Sequence, residues 1–535
     1  MKRIEFNNLR ARTYRKKAEV FAFRSEAPFS FSKSWGEQRV RESGWVVVPI
    51  ANGGTASQDI YGCDADVFAE TYEPSPSQRP NRYRKKETIR AYQPGEPFEI
   101  ETRLADGHLE VESSSADSYT TWLARNPSGE TYTIEDEVFR DTYVEVQERG
   151  EKYRIRSRNE HWIPDGTPRR ILALDGGGVR GILTLQYLAR IEAILKKRHG
   201  DSDEFRLCHY FDLIAGTSTG AIIAAALARG SRVSEIIDLY NRLAADIFRR
   251  SWFRFGLMRA KFSADRLRQH LRAEFKNNTM GSTAIQTGLL VVAKRLDSGS
   301  TWPMSNNPLS PFFRAEPNDT FFSNEDYLLR RVVRASTAAP HYFAPEYIEI
   351  STEKEKPHGQ FIDGGASPHN NPSLLALQLV SVSGFGAGWD LDPDKLLLVS
   401  VGTGMANPDV SRSWFAGEHA LKSLLSLMND CAESVETVLQ WLSSSPTARH
   451  LDAALKEMHG DLLAERPLLH YLRYNVMLDS DWLKDNLGLN CTKPDIDRLK
   501  KMDLPENMQA LSKIGNTAAK LQIEETHFPP SFDLW

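Results

Sequence analysis

Phe211-Asp212-Leu213-Ile214-Ala215-Gly216-Thr217-Ser218-Thr219-Gly220, running on into Ala221-Ile222-Ile223-Ala224-Ala225-Ala226-Leu227, is the stretch whose reading decides the fold. Its first part, Phe211 to Ala215, fits a buried strand and breaks at Gly216. A small-residue helical run opens after Thr219, so Ser218 falls on the turn between strand and helix. A chain that reverses from strand to helix within a few residues crowds its own backbone, and glycine at Gly216 and Gly220 leaves the room required; this is the context of a G-x-S-x-G nucleophile elbow. The hydroxyl of Ser218 is then pushed out of the sheet, above a helix N-terminus whose free N–H groups favour an anion. A tight turn without chemistry would carry the same pentapeptide, so two further stretches decide between the readings.

The first is Ile171 to Gly181, ILALDGGGVRG, followed by ILTLQYLARIEAIL. A second buried-strand pattern ends at Asp175, three glycines and an arginine, then opens an amphipathic helix with apolar residues at Ile182, Leu185, Leu188 and Ile191. Gly176 to Gly181 matches G-x-G-x-x-G, but no second mononucleotide half with a ribose-binding acid follows. A P-loop fails for want of a Lys-Ser/Thr pair. What remains is a loop of successive N–H groups at a helix start, suited to an oxyanion, with Arg180 either lying over it or pinning it. The second stretch is Phe361 to Pro372, FIDGGASPHNNP, in which an apolar run delivers Asp363 into the Gly364-Gly365 turn.

Taken together, the glycine nest, the serine elbow and the later Asp-Gly-Gly resemble the patatin-like phospholipase family, in which these motifs occur in this order and a Ser-Asp dyad works without histidine. The resemblance runs from about Arg169 to the C-terminus. It includes Ala335-Ser336-Thr337-Ala338-Ala339-Pro340 with Tyr342-Phe343, Asn370-Asn371-Pro372, and the buried-strand pattern Leu398 to Gly404. It implies a three-layer α/β/α sheet with C-terminal helices, Ser218 as nucleophile, Asp363 as base, and Gly176, Gly177, Gly178 and Arg180 as the oxyanion loop, the N–H groups of Gly177 and Gly178 facing the developing charge. The substrate implied is a phospholipid or other acyl ester at a membrane surface, and no cofactor or metal is called for. A conventional triad stays open, because Ser218, Asp363 and His369 follow the α/β-hydrolase chain order. So does a different class of function: a regulatory or partner-binding protein that uses the scaffold as a platform, including a defence effector switched on by a nucleotide signal.

Composition sets outer bounds. The 535 residues carry a formal charge of −4, which gives no global attraction to nucleic acid or anionic lipid, and no nucleic-acid partner is expected. The four cysteines are dispersed, with no C-x-x-C pair, which fits a reducing, cytosolic compartment; the expected location is cytoplasmic, with peripheral approach to the bilayer. The N-terminus has a positive start but no apolar core, and no segment reaches the roughly 20 apolar residues of a membrane span.

Residues 1–155 read as two small β-rich (α+β) accessory modules, 1–80 and 81–155. Glu26-Ala27-Pro28-Phe29 recurs as Gly95-Glu96-Pro97-Phe98, Trp45 as Trp122, and Val67-Phe68 with Thr71-Tyr72 as Val138-Phe139 with Thr142-Tyr143, about 71 residues on. Their Phe and Tyr side chains are expected in a core, and the modules could take a small-molecule or protein activator. A polar linker, 156–168, leads into a catalytic domain, 169–535, whose alternating β/α pattern predicts a mainly parallel sheet. Arg249 to Lys261 interleaves basic and aromatic residues, as either a lipid-facing stretch or a helix and loop beside the site. Thr301 to Asn307 reads as a loop. Helices are expected at Ala420–Leu427, Ser434–Leu442, Leu451–Met458 and Met508–Ile523, with HFPPSFDLW as an extended tail.

Overall fold

The structure is a computed structural model that describes the chain apart from residues 1, 5, 7–10, 34–35, 41, 51–59, 76–80, 95–96, 104–108, 114–120, 128–130, 146–152, 248–263, 354–356, 407–415, 452–453, 459 and 535. The described residues fall into two compact units, Met1–Glu151 and Lys152–Trp535.

The first unit is built on two five-stranded antiparallel sheets that exchange a strand. One runs Thr131–Ile134, Trp122–Arg125, Thr88–Tyr92, Arg12–Lys16, Tyr143–Glu145; the other runs Tyr61–Cys63, Trp45–Pro49, Glu19–Arg24, Arg82–Lys85, Tyr72–Pro74. The first strand of each sequence repeat therefore lies in the sheet of the other. The links Lys17-Ala18 and Lys86-Glu87 carry no positive-φ residue of the kind a two-residue hairpin needs, so the chain crosses over instead of folding back. Both copies close on the same ring stack. Trp45 lies 4.1 Å from Phe68 and Trp122 lies 3.9 Å from Phe139, each pair nearly parallel, and Phe68, Tyr72 and Phe139 are buried.

In the second unit the strands are β1 (Arg169–Leu174), β2 (Leu213–Thr217), β3 (Gly288–Arg295), β4 (Thr301–Ser305), β5 (Glu346–Glu349), β6 (His358–Asp363), β7 (Leu396–Val401), β8 (Ser443–Ser444) and β9 (Leu469–Tyr474). They form one nine-stranded sheet in the order β5-β6-β3-β2-β1-β7-β9-β8, with β4 on β3. The helices that matter here are α1 (Gly181–Arg198), α2 (Thr219–Ala228), α3 (Val233–Ile247), α4 (Ala264–Phe275), α5 (Leu329–Ser336), α6 (Ser373–Ser381), α7 (Ala416–Leu442) and α8 (Met508–Gln522). Alternate residues of β1 serve opposite cores: Leu172 and Leu174 pack with α1, α2 and α8, while Ile171 and Ala173 pack with α6 and α7. Burial on both faces is why the strand reads as a continuous apolar run, and it makes the three-layer α/β/α arrangement.

The centre of the sheet is parallel and one side is not. β3 is eight residues long, and β6 pairs antiparallel with only its last three, Ala293 to Arg295. β6 thus descends from beyond the C-terminal ends of the parallel strands and stops with Asp363 opposite Ala293, one position past the Thr217–Val292 pair. That register delivers the carboxylate to the level of Ser218.

Several local expectations change. Thr301–Asn307 supplies β4, whose Pro303 pairs with Val292 at a border that tolerates a missing N–H. Ala420–Leu427 and Ser434–Leu442 are one helix, α7, because nothing between them breaks the repeat. Leu451–Met458 is not helical among its described residues: Lys456 and Met458 have positive φ, which a continuous helix does not tolerate, and Leu455 is 40% exposed. The final residues are bolted down, with Phe528 and Phe532 buried and Arg170 Nη1 donating to the Phe532 carbonyl at 3.1 Å. The 156–168 stretch packs under the sheet, where His161, Arg156, Arg169 and Arg170 converge on the fully buried Asp212 and Trp162 is 0% exposed. Burial alone would raise the Asp212 pKa, yet Arg170, His161 and Arg169 hold it below the ordinary carboxylate range.

Candidate active site

Ser218 follows β2 directly and N-caps α2 with φ 55° and ψ −122°, a left-handed conformation that costs a non-glycine residue about 1–2 kcal/mol. Packing holds it there. A Cβ on Gly216 would collide with the Gly220 carbonyl, and one on Gly220 with the Leu174 carbonyl of β1, so each glycine is a close approach of two backbones. The Ser218 N–H donates to Ser336 Oγ at 2.9 Å, and that hydroxyl in turn donates to the Val292 carbonyl at 2.6 Å. Thr217 Oγ1 donates to the His369 carbonyl at 2.7 Å.

The side chain of Ser218 meets Asp363. Its Oγ donates to Asp363 Oδ2 at 2.6 Å, while the Gly365 N–H of the following turn donates to Asp363 Oδ1 at 2.7 Å. Asp363 is 5% exposed, and burial pushes its pKa up to about 6 against the opposing pull of the Ser218 hydroxyl, the Gly365 N–H and the charge of Arg334. A carboxylate with that pKa is largely ionised at neutral pH and a better proton acceptor than a solvated one.

The glycine loop lies beside this pair, with its four members doing different things. Gly176 gives its N–H to the Asn370 carbonyl at 3.2 Å, so it ties two loops together and is not a free donor. Gly177 gives its N–H to Thr219 Oγ1 at 3.1 Å, a rotatable hydroxyl on the cavity wall. The N–H of Gly178 meets no acceptor among the described residues. Gly178 has φ +58°, and a Cβ there would strike the Met502 carbonyl, which accepts the Val179 N–H at 2.8 Å. Arg180 does not line the cavity. It is 3% exposed, its guanidinium makes no hydrogen bond or ion pair among the described residues, and burial pulls its pKa down to about 10.

Asp175 anchors the loop from behind. Its carboxylate takes a two-pronged ion pair from Arg473 of β9, at 3.0 and 2.7 Å. Burial weakens both charges, but this geometry keeps Arg473 protonated, its pKa held above the ordinary arginine value by Asp175. Tyr240 of α3 donates to the Gly178 carbonyl, and Thr403 Oγ1 to the Gly176 carbonyl at 2.9 Å. Thr219, Tyr240, Ser336, Thr403 and Arg473 escape a reading of motifs as catalytic parts. Ser336 and Thr403 at least sit inside stretches the sequence singles out, whereas Tyr240 and Arg473 carry no local signal.

Above Ser218 opens a cavity walled by Ile222, Leu243, Leu267, Phe343, Leu425 and Met428, with Ser218, Asp363 and Asn370 at its polar end. An apolar chain entering it would gain about 0.8 kcal/mol per buried methylene. Ile247 also borders it. The basic and aromatic stretch Arg249–Lys261 lies outside the described residues.

His369 does not complete a triad. No hydrogen bond among the described residues joins its ring to Ser218 or Asp363, its Nδ1 is buried without a partner, and burial lowers its pKa, which keeps the ring neutral. Its carbonyl, not its ring, serves the site. His369→Ala is therefore expected to keep hydrolysis within about threefold of wild type in an ester-cleavage assay. A loss as deep as that caused by changing Asp363 would contradict this geometry.

Residues 172–377 match the family model of the patatin-like phospholipases, a span that contains the glycine loop, the elbow and the Asp-Gly-Gly turn. Over that span the chain is similar to the patatin-like phospholipases. Among its relatives, a cGAMP-activated phospholipase of Escherichia coli (strain TW11681) is 31% identical over 238 residues, 44% of this patatin-like chain and 62% of that protein. Patatin-like protein 2 of Arabidopsis thaliana is 28% identical over 54% of this chain and 73% of its own length. A cGAMP-activated phospholipase of Vibrio cholerae is 30% identical over 39% of this chain and 57% of its own. The patatin-like chain thus spans about three fifths of the length of these cGAMP-activated relatives. Human GIVD cytosolic phospholipase A2 is similar at a TM-score of 0.32 and 11% identity, over 96% of this chain and 98% of that one. No described helix is long and apolar enough to cross a membrane.

Proposed function

We propose that this chain is a lipid acyl hydrolase of phospholipase A type, with Ser218 as nucleophile and Asp363 as general base. The observation that carries the reading is the 2.6 Å hydrogen bond from Ser218 Oγ to Asp363 Oδ2 at the polar end of an apolar cavity. A serine hydroxyl is a poor nucleophile at neutral pH, so a base must remove its proton as the Oγ–carbon bond forms. Asp363 takes that proton. The oxyanion is received by the Gly178 N–H, and by the Gly177 N–H once the Thr219 hydroxyl rotates away, each donor contributing about 3 kcal/mol to the transition state. As the ester C–O bond breaks, the proton passes from Asp363 to the departing alcohol, leaving a lysolipid. Water, deprotonated by the same carboxylate, then releases the fatty acid and restores Ser218. The N-terminal unit regulates or positions this centre, and the working location is the cytoplasmic face of a bilayer, reached peripherally.

A second reading shares the chemistry and adds a switch. Two relatives are named as cGAMP-activated phospholipases, which supports activation of this hydrolase by a cyclic dinucleotide. A short-chain p-nitrophenyl ester assay tests the main reading: Ser218-dependent turnover is expected from wild type and none from Ser218→Ala. Equal rates from the two proteins would leave a platform without catalysis. Phospholipid vesicles assayed with and without cGAMP test the switch.

A further inference from the structure

Asp363 has no cation within ion-pair distance among the described residues; its direct partners are a hydroxyl and an amide, both neutral. A carboxylate that is 5% exposed and so poorly compensated would give up its charge unless something farther off opposed the cost of burial. α5 supplies such a group. Arg334 is 1% exposed, donates from Nη2 to the Ala344 carbonyl at 2.8 Å, and lies 5.4 Å from the Phe343 ring centre. Its Nε and Nη1 have no hydrogen-bond partner among the described residues.

Among the described residues, the carboxylate in ion-pair range of Arg334 is Glu346 on β5, at 4.0 Å from Nε to Oε2. That same oxygen takes Arg268 of α4 at 2.8 and 3.1 Å. Arg268 also has the exposed Asp265 at 3.1 Å, so of the two guanidinium groups on Glu346 the less satisfied cation is the buried Arg334. Arg334 sits two residues before Ser336, which holds the Ser218 N–H, and α5 is tied to the end of β6 by the Asp363 N–H donating to the Ala338 carbonyl at 3.1 Å.

Other charged groups on the elements packed around Asp363 are occupied elsewhere. Lys294 of β3 donates to the Gly299 carbonyl, and Arg295 pairs with Asp297 at 2.6 Å. Glu349 of β5 faces His358 of β6 at 3.7 Å. On α5, Arg330 binds the Lys276 carbonyl and Asn277, and Arg331 does not reach Asp363. Burial lowers the His369 pKa and favours its neutral form, and Asp503 lines the same cavity without being among the charges that shift Asp363. Glu346 stands opposite Phe361, two residues before Asp363 on the same face of β6, so its 4.0 Å contact with Arg334 brings that guanidinium to the Asp363 side of the sheet. Burial lowers the Arg334 pKa only to about 10, so it stays protonated through neutral pH.

We propose that Arg334 is a positioning residue for the dyad: a buried, half-neutralised cation that keeps Asp363 in its basic form, its strength metered by how Glu346 is divided between Arg334 and Arg268. This rests on Asp363 being the base for Ser218, and it predicts opposite signs for substitutions within one cluster.

The experiment is kcat/KM against pH on a soluble ester, using the full chain. Wild type should show an acidic limb with a midpoint near 6. Arg334→Met should raise that midpoint by about one pH unit, a loss of about fivefold at pH 6 that fades above pH 8, and Arg334→Lys should restore part of the shift. Glu346→Gln should lower the midpoint by uncovering the cation. Arg268→Gln, at a half-exposed site, should raise it by leaving Glu346 wholly to Arg334. Should Arg334→Met fail to fold, the Glu346→Gln and Arg268→Gln pair still gives the test through its opposed shifts. Ser218-dependent activity whose midpoint stays fixed across these variants, with only the plateau falling, overturns the proposal and leaves the dyad intact. A wild type without Ser218-dependent turnover overturns the dyad, and this proposal with it.

Discussion

Asp363→Asn should lower Ser218-dependent ester hydrolysis by roughly a thousandfold or more and, at the same time, make the protein more stable at pH 8. The first effect follows, on the proposed dyad, from losing the carboxylate that accepts the Ser218 hydrogen bond, in a substitution that keeps the shape and the Gly365 contact at 2.7 Å. The second follows from burial. The folded pKa of Asp363 is raised to about 6 from 3.8, so the unfolded chain ionises more readily than the folded one. The stability this group contributes is complete below about pH 4 and is lost as pH rises through 6, reaching at most about 3 kcal/mol. Asparagine does not titrate. Its advantage over wild type should be near zero at pH 4 and largest at pH 8, measured by thermal unfolding at the two pH values. An advantage of equal size at both would mean that the carboxylate is not strained by burial.

Gly220→Ala should abolish activity and cost roughly 3 kcal/mol or more of folding stability, at the upper end of what overpacking costs. The added methyl would meet the backbone carbonyls of Leu174 and Asp175, which belong to β1 and the start of the glycine loop and cannot swing aside as a side chain could. Relief requires α2 to lift from the sheet, and with it the N-cap at Ser218 and the donor geometry around Gly177. Gly488→Ala is the matched control. Its φ is +65° with nothing within 4 Å of the new Cβ, so only the backbone penalty of about 1–2 kcal/mol applies and activity should persist. Urea unfolding and the ester assay on both variants separate crowding from conformational strain. Equal costs at the two positions would contradict the close approach seen at the elbow.

The parts of this site that were readable in the amino-acid order are those in which glycine marks a backbone constraint. Gly216 and Gly220 announce a strand packed on a helix, Gly178 a positive φ, and Gly364-Gly365 a turn that presents Asp363; each signal is local, because the constraint is local. What holds these turns in register is not. Asp175 and Arg473 are 298 positions apart, and nothing near either predicts the pair. The descent of β6 onto the end of β3 depends on β3 outrunning its parallel neighbours, which hydropathy alone does not reveal.

Other readings shifted for the same reason. The prolines and Asp-Gly of 156–168 look like a connection, yet Trp162 is fully buried against Trp389 and the apolar core under the sheet, and Arg156 and His161 of the same stretch pair with Asp212. In the first unit the repeats are audible in Trp45 and Trp122, but the exchange of Arg12–Lys16 for Arg82–Lys85 leaves no trace in sequence, since the two segments are nearly alike and fit either sheet. Leu451–Met458 has helical spacing, yet positive φ at Lys456 and Met458 turns its described residues away from a helix, and spacing alone does not sustain one.

The direct test of the dyad is peptide mapping after treatment with a fluorophosphonate, which bonds covalently to an activated serine. Ser218 should carry the adduct in wild type, labelling should vanish in Ser218→Ala, and it should slow by roughly a hundredfold or more in Asp363→Asn. An adduct on another serine, or undiminished labelling of Ser218 when Asp363 is gone, would contradict the account.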